Sequence, residues 1–304
     1  MSSSLPDGFT LRSPTVDDTD AAAAVIAAED RAFRGNAQWD ANDQRDWWAQ
    51  LDMDRSAWLV ESDGRVVAQG SLMQRGDKLD GWISVDPKFT GRGLGSALIG
   101  IVEARARELG AESVKLGTYG ENAAGKGLLE RSGYRDVRRY YEMRIDLDRA
   151  LPEREWPPGL SVSRFDPTEA RKLHTAVMAA FADEWNFHPR SFEEWRAHRM
   201  EAPNFDPSLW FVVKDGDEIA AFLLSTAKQY GAPWISSVGV RKPWRRRGLG
   251  LALLHESFNE FQRRGARWVA LGVDAENPTG ATRLYERAGM YVHSEDVIYA
   301  KELG

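Results

Sequence analysis

A chain of 304 residues is long enough for two domains of ordinary size, each with its own hydrophobic core. Its composition, 42% hydrophobic and 28% charged with twelve Trp, is that of a folded globular protein and excludes a largely disordered chain. The net charge of −6 argues against a general nucleic-acid-binding protein, and the absence of Cys excludes disulfides, thiolate metal sites and cysteine nucleophiles.

The sequence also lacks the signals of a membrane or exported protein. No apolar run approaches the roughly eighteen residues that span a bilayer, and the first five residues lack the basic start and apolar run of a signal peptide. We therefore expect a cytoplasmic protein that binds neither membrane nor nucleic acid.

The first half of the chain predicts a strand, a helix and a hairpin in that order. Residues 9–12 have the pattern of a short strand, and residues 16–33 that of a helix. Two apolar runs, 57–60 and 66–70, flank the turn residues Ser62, Asp63 and Gly64, which predicts a β-hairpin.

A charged, Pro-rich stretch from Leu151 to Pro158 is typical of a linker, and we place the domain boundary there, between residues 1–150 and 151–304. The second half then repeats the order of the first. We expect a strand at 160–163, a helix at 167–181, and a hairpin of strands 210–214 and 219–224 around the turn 215–217.

A strand, helix, strand, helix passage follows in the second half. The strand at 234–240 leads into a Gly-rich loop and a helix whose apolar face carries Leu251, Leu254, Phe258 and Phe261. That helix ends at Gly265, a strand follows at 268–273, and a last helix at 279–288 ends at Gly289. Each domain is therefore predicted to be mixed α/β (α+β), a mostly antiparallel sheet flanked by helices.

The two halves are copies of one another. Residues 85–95 align with 240–250 at an offset of 155, and Asn122 aligns with Asn277 at the same offset. After one inserted residue in the second copy, residues 128–133 align with 284–289. A period this long indicates two complete domains in series, not a solenoid.

The Gly-rich loop of the second copy has the features of a phosphate site. Five cations lie between Arg241 and Arg247, followed by Gly248 and Gly250 where the helix begins. A solvated basic turn would explain the cations but not the two glycines, which let a backbone approach a phosphate at a helix N-terminus. The loop contains neither the Gly-Lys-Ser/Thr of a P-loop nor a three-glycine dinucleotide fingerprint.

The loop resembles that of the GNAT superfamily of N-acetyltransferases, whose motif is Arg/Gln-x-x-Gly-x-Gly/Ala. Arg245-Arg-Arg-Gly-Leu-Gly250 matches this motif fully, and the resemblance extends from Val238-Gly-Val240 to Asn277 and on to Gly289. The resemblance covers nearly all of residues 160–304 and, more loosely, 9–147. It implies two tandem GNAT-like domains that use acetyl-CoA as a co-substrate, with no metal.

The resemblance assigns roles to individual residues of the second copy. Backbone groups of Val238 and Val240 would contact the pantetheine arm and the thioester oxygen, and Asn277 would also contact the pantetheine. The loop residues would bind the pyrophosphate: Arg245, Arg246, Arg247, Gly248, Leu249 and Gly250.

Tyr285 stands where the family has its general acid, and a phenol can protonate the departing thiolate. The alternative for Tyr285 is a packing role on the sheet. No general base is assigned, because the strand before the loop shows Ser236 and Ser237 and no carboxylate. Asp183 and Glu184 could approach the acceptor site, but a solvated turn or a helix-end cap explains them equally well. His255 and His293 are also catalytic candidates, but His255, on the helix after the loop, is more simply a surface or packing residue, and no cluster supports a metal site.

The first copy departs from the family pattern. Thr90 replaces Arg245 and Leu129 replaces Tyr285, while a possible second cofactor site keeps Val85, Arg92, Gly93, Gly95 and Asn122. Leu cannot donate a proton, and although Tyr119 or Tyr134 could substitute, nothing in the sequence positions either one. We expect the first domain to be degenerate, binding acetyl-CoA weakly or not at all.

The sequence does not identify the acceptor, which we expect to be a small molecule with a primary amine. A tandem chain with a degenerate first copy also resembles the mycothiol synthases, which acetylate a cysteinyl pseudodisaccharide, and the acidic balance is compatible with aminoglycosides or polyamines. A non-catalytic acyl-CoA-binding protein is the alternative of a different class. GNAT folds can dimerise by strand exchange, a contact that two fused copies can make within one chain, so we expect a monomer or weak homodimer.

Overall fold

The computed structural model describes residues 5–75, 78–148, 151, 156–182, 187, 189–202, 204–229, 231–277 and 280–304. They form two compact units. Unit 1 comprises Met1–Tyr140 with Ser294–Gly304, and unit 2 comprises Tyr141–His293.

Unit 1 is a sheet with helices packed on it. Its strands are β1 Thr10–Arg12, β2 Ala57–Ser62, β3 Arg65–Arg75, β4 Lys78–Val85, β5 Ser113–Tyr119 and the start of β6 Arg135–Asp146. Its helices are α1 Thr19–Phe33, α2 Ala41–Trp48, α3 Met53–Ser56, α4 Leu94–Glu108 and α5 Ala123–Arg131. The strands β1 to β4 are antiparallel, and β4 and β5 are parallel.

Unit 2 repeats this plan. Its strands are the end of β6, β7 Ser161–Arg164, β8 Phe211–Asp215, β9 Glu218–Gln229, β10 Ala232–Val240, β11 Trp268–Asp274 and the start of β12 Tyr291–Glu302. Its helices are α6 Ala170–Phe181, α7 Phe192–Met200, α8 Leu249–Arg263 and α9 Ala281–Arg287. The strand order is β6-β11-β10-β9-β8-β7, with β10 and β11 parallel. This confirms the predicted mixed, mostly antiparallel fold in two tandem copies.

Local sequence explains the elements that were predicted. Asp63 and Gly64 both adopt left-handed backbone angles, φ 50° and 72°, as a two-residue hairpin between β2 and β3 requires. Helix α8 turns Leu253, Leu254, Phe258 and Phe261 into the core of unit 2. Burying this apolar face stabilises the helix more than its intrinsic propensity does.

The sequence patterns do not predict α2 and α7, because both helices are mostly polar. Helix α2 buries only Gln44 and Trp48, and α7 buries only Trp195. Each begins with a capping box, Asp40 with Asp43 and Ser191 with Glu194. Those four-residue capping patterns are the sequence signal that would have located both helices.

The last strand of the chain completes unit 1, although it belongs to the second sequence copy. Strand β12 is antiparallel to β5, from Asp296 opposite Tyr119 to Glu302 opposite Ser113. Its Val297 and Tyr299 are buried in the unit 1 core. Asp296 accepts two hydrogen bonds from Arg34, the residue that follows α1, at 2.6 and 2.7 Å. The predicted second domain, residues 151–304, therefore includes a strand that packs in unit 1.

Within the described part of the chain, no helix is both long enough and apolar enough to cross a lipid bilayer.

We predict that deleting residues 294–304 unfolds unit 1 before unit 2. The deletion removes the buried side chains of Val297 and Tyr299 and leaves the β5 edge without its partner strand, at a cost of several kcal/mol. Hydrogen exchange followed by mass spectrometry should show lost protection in β4 and β5 and retained protection in α8. Deletion of residues 1–4 is the control, and equal protection of β5 in both variants would contradict the prediction.

Candidate active site

The carboxyl end of β10 presents backbone groups that its neighbours do not use for pairing. β10 and β11 are both fully described, and their register contains Trp234 opposite Ala270 alone. Beyond Trp234 the strands diverge. Arg241 N–H donates to Ala220 O on the β9 side, at 3.0 Å. Because N–H groups alternate sides along an antiparallel strand, those of Val240 and Val238 face the gap toward β11.

A β-bulge precedes this segment. The β9–β10 register shifts between Ile235 opposite Ser225 and Ser237 opposite Leu224, which leaves Ser236 as the extra residue. A bulge of this kind bends its strand and redirects the residues that follow. Sequence reasoning did not locate the bulge. The gap between β10 and β11, together with residues 241–248, is called the unit 2 groove below.

The loop backbone has the shape of an anion-binding turn. Arg246 and Gly248 both have positive φ, 63° and 80°. Positive φ is strained for Arg and unstrained for Gly, so the turn is held against a local preference at Arg246. Gly248 begins α8 without a side-chain cap, so the first N–H groups of that helix have no capping side chain. This arrangement is suited to a phosphate.

Arg245 braces the loop through its side chain. Its Nε donates to Val240 O and its Nη2 to Ala180 O, both at 3.0 Å. These bonds tie the loop to the end of β10 and to the last turn of α6. The Arg245 guanidinium therefore holds the loop in place beside the groove. Arg246 and Arg247, by contrast, have exposed side chains at the loop surface.

Gly250 has a packing role. A Cβ atom there would lie 3.0 Å from Leu284 Cδ2 of α9, so glycine allows α9 to approach the start of α8. Gly95 of unit 1 is in the same situation, 2.7 Å from Leu128 Cδ2 of α5. Leu249 is buried in the core. Cofactor binding by the backbone N–H groups of Leu249 and Gly250 stays a prediction.

The remaining predicted residues of unit 2 lie on the elements that follow. Asn277 lies in the turn after β11, where its N–H donates to Asp274 O at 3.1 Å. Tyr285 lies on α9, and its side chain is buried in the unit 2 core. His255 is also buried, beside Phe258 on α8, as a packing residue would be. Asp183 and Glu184 fall outside the described residues.

The described residues contain no group of three or more His, Cys, Asp or Glu side chains placed to hold a metal ion.

Unit 1 contains the same loop backbone with different side chains. Gly91 and Gly93 have φ of 76° and 84°, matching Arg246 and Gly248 at the repeat offset. Thr90 is extended like Arg245, but its hydroxyl donates to Pro87 O within the loop, at 2.9 Å. The brace to the first helix is therefore absent from the described loop of unit 1.

A buried acidic network lies beside β4 in unit 1. Glu29 Oε1 accepts from Val85 N–H at 3.1 Å, and Asp30 accepts from the N–H groups of Gln38 and Trp39 and from the Tyr119 hydroxyl, at 2.9 to 3.0 Å. Burial, more than the neighbouring carboxylates, raises the pKa of Glu29 to about 7.

The two tyrosines that could replace the missing acid of unit 1 are poorly suited to proton donation. Burial, then the charge of Asp30, raises the pKa of Tyr119 well above its usual range, and burial raises the pKa of Tyr134 as well. Neither tyrosine stands at the position that aligns with Tyr285, which in unit 1 is Leu129.

Comparison with known proteins identifies the family to which this architecture belongs. The model of the acetyltransferase (GNAT) family matches residues 22–134 and again 171–290. The chain belongs to the GNAT family of acetyltransferases. As a member of this family, with relatives named acetyltransferases, it is an N-acetyltransferase.

Individual relatives agree with the tandem form. A mycothiol acetyltransferase of Thermobispora bispora is 31% identical over 251 residues, covering 80% of this chain and 83% of the relative. A GCN5-related N-acetyltransferase from Sphaerobacter thermophilus is 37% identical, with a TM-score of 0.85 over 99% of this chain and 97% of its own. A tandem GNAT protein of the clavulanic acid pathway, 15% identical with a TM-score of 0.75 over 97% of this chain and 99% of its own, shares the fold.

The brace at Arg245 predicts a stability effect. Arg245→Ala removes the side-chain donor from the carbonyls of Val240 and Ala180, which should lower the free energy of unfolding of unit 2 by about 1–3 kcal/mol. Hydrogen exchange in β10 and α6 measures it. Arg247→Ala, which removes an exposed side chain from the same loop, is the matched control. Equal effects of the two substitutions on the free energy of unfolding would mean that the Arg245 side chain does not stabilise unit 2.

The buried Glu29 predicts that the stability of unit 1 depends on pH. Its pKa rises from 4.5 unfolded to about 7 folded, so the folded state holds the proton more tightly. The contribution of Glu29 to stability is thus complete below pH 4.5 and is lost as pH rises through 7, by up to about 1.4 kcal/mol per pH unit.

Glu29→Gln cannot titrate and should remove this dependence. The difference in unfolding free energy between the two proteins, measured from hydrogen exchange of β4 and β5 at several pH values from 4.5 to 7.5, should favour the variant increasingly at higher pH. Parallel pH profiles would show that Glu29 does not carry the proton.

Proposed function

We propose that the protein moves an acetyl group from acetyl-CoA to a primary amine of a small acceptor, by direct attack in a ternary complex, and that unit 2 carries the reaction. The observation that supports this most is the loop backbone. Two left-handed residues, Arg246 and Gly248, lead into the uncapped start of α8 beside a strand whose N–H groups face an open gap. A diphosphate and a thioester arm need this pair of features side by side.

The residues of unit 2 have distinct roles in this proposal. Backbone N–H groups of Gly248, Leu249 and Gly250 bind the pyrophosphate, with added positive charge from Arg246 and Arg247. The N–H groups of Val238 and Val240 bind the pantetheine arm and the thioester oxygen, with Asn277 as a further pantetheine contact.

The chemical step requires a neutral amine, a stabilised oxyanion and a protonated leaving group. The amine attacks the thioester carbonyl carbon, and the negative charge on the carbonyl oxygen is stabilised by a backbone N–H at the end of β10. When the C–S bond breaks, Tyr285 donates its hydroxyl proton to the thiolate. Water or an acceptor-side group takes the proton of the amine.

A second candidate for the acceptor comes from the relatives. Since a relative covered over most of its length is named mycothiol acetyltransferase, a cysteinyl pseudodisaccharide is a specific acceptor to test. It carries a primary amine beside a thiol. Assays should therefore detect the acetylated product by mass spectrometry, because a thiol reagent for free CoA would also react with this acceptor.

A panel of acceptors tests whether the protein acetylates the cysteinyl pseudodisaccharide or another small amine. It should contain the cysteinyl pseudodisaccharide, its seryl analogue, an aminoglycoside and a polyamine. Acetylation of the cysteinyl compound at least tenfold faster than of the other amines would identify it as the acceptor. Acetylation of none of them, with acetyl-CoA bound, would favour a non-catalytic acyl-CoA-binding protein.

Tyr285→Phe tests the chemical role. Loss of the hydroxyl should reduce turnover by about 10²-fold or more while the Kd for acetyl-CoA changes little, because the ring still packs in the core. Isothermal titration gives the Kd, and product formation gives kcat. Tyr119→Phe is the matched control in unit 1. If Tyr119→Phe lost turnover and Tyr285→Phe kept it, the chemistry would belong to unit 1.

A further inference from the structure

We propose that the groove of unit 1 is closed from within by the side chains of Glu29 and Trp82, so that the chain binds one acyl-CoA molecule, in unit 2. The unit 1 groove is the gap between β4 and β5 beyond Trp82, with residues 86–93. This inference rests on the proposed function of unit 2 as an acyl-CoA site. It assigns the closure to two residues that no motif identifies.

The first element of the closure is a carboxyl group on the backbone donor. Asp86 N–H donates to Val67 O on β3 at 2.9 Å, as Arg241 does to Ala220 in unit 2. By the same alternation, Val85 N–H faces the groove. Glu29 Oε1 accepts that N–H at 3.1 Å. The donor that corresponds to Val240 is therefore already used by the protein.

Unit 2 has no such group on its corresponding helix. Helix α6 contains neither Asp nor Glu, and the residues that it buries are all apolar: Ala170, Leu173, Ala176, Val177 and Ala180. Glu29 is 5% exposed, and its Oε2 is buried with no hydrogen-bond partner among the described residues. An unpartnered oxygen in that setting fits a neutral carboxyl group, in agreement with the raised pKa of Glu29.

The second element is the indole of Trp82. Trp82 pairs with Gly117 at the last paired position between β4 and β5. Its ring lies directly over the β5 backbone, since a Cβ at Gly117 would be 2.3 Å from Trp82 Cζ3. The ring also meets Tyr119 edge-on, with centroids 5.5 Å apart. The residue that aligns with Trp82 in unit 2 is Ser237, whose side chain is too small to cover β11. The Trp234 indole approaches the equivalent glycine, Gly272, but less closely, with Cζ2 at 3.5 Å from its Cβ position.

The strand itself differs between the units. Strands β3 and β4 stay in register from Ala68 opposite Val85 to Arg75 opposite Lys78, without the bulge that precedes Val238 in β10. Unit 1 therefore lacks the bend that redirects the end of β10. In addition, Pro6 lies against the unit 1 loop, with its Cγ 3.2 Å from the Cβ position of Gly93. The loop keeps a phosphate-binding backbone, but the groove behind it is filled.

The number of coenzyme A molecules bound by the full chain tests the closure. Titration calorimetry with coenzyme A should give one site for the unchanged protein, none for Gly248→Asp and one for Gly93→Asp. The two substitutions are at equivalent loop positions, and Asp tolerates the left-handed backbone of both glycines and sets a carboxylate against a phosphate. At Gly93 the new side chain also meets Pro6. Two sites in the unchanged protein, or one remaining site in Gly248→Asp, would overturn the proposal.

The titration distinguishes failure of the proposed function from failure of the proposed closure of the unit 1 groove. If the unchanged protein bound no coenzyme A, the proposed function would fail; two sites would leave that function intact and refute the closure alone.

Opening the groove is the converse experiment. Glu29→Val with Trp82→Ser gives unit 1 the residue types of unit 2, and the double variant should gain a second coenzyme A site. Glu29→Gln is its control, since the amide oxygen can still accept the Val85 N–H, and it should keep one site. Thermal unfolding verifies that each variant is folded. A folded double variant with a single site would show that Glu29 and Trp82 do not close the groove.

Discussion

The alternation of N–H groups along an antiparallel strand is the constraint on which the rest of the candidate site depends. Once Arg241 donates to β9, the N–H groups of Val240 and Val238 must face the opposite edge. They would be satisfied by β11 if the strands stayed together, but the pairing is confined to Trp234 and Ala270. The divergence thus converts ordinary sheet donors into groups available to a ligand, and the bulge at Ser236 sets their direction.

The two units show how side chains decide the use of a common backbone. Both loops contain left-handed residues at the same two positions, and both bring a helix close to a glycine at the next turn. Unit 2 braces its loop with Arg245, and its helix α6 buries only apolar residues. Unit 1 places a buried carboxyl group and an indole there instead. Conserved backbone geometry is therefore compatible with opposite states of the groove.

Each unit includes a strand that belongs to the other sequence copy. Strand β12, from the second copy, supplies Val297 and Tyr299 to the core of unit 1, and Asp296 pairs with Arg34. The end of β6, from the first copy, supplies Met143 and Ile145 to the core of unit 2. Neither copy, cut at the linker, contains all the strands of its own unit. Separated halves are for this reason a poor test of which unit binds a ligand.

The sequence by itself determined the duplicated fold, the order of the main elements and the position of the loop. These features are local or repetitive: the offset of 155, the glycines at the start of α8 and the apolar face from Leu251 to Phe261 can be read without a partner segment. The resemblance to the GNAT family assigned phosphate binding to Arg245 and proton donation to Tyr285, and both roles stay predictions.

Only the tertiary structure decided what the side chains of the groove contact. The bulge at Ser236 depends on the register between two strands, and the bond from Glu29 to Val85 joins residues 56 positions apart. The brace of Arg245 to Ala180 spans 65 positions, and the place of β12 in unit 1 depends on pairing with β5. Such contacts are set by packing between distant segments, for which the sequence of either segment alone carries no signal.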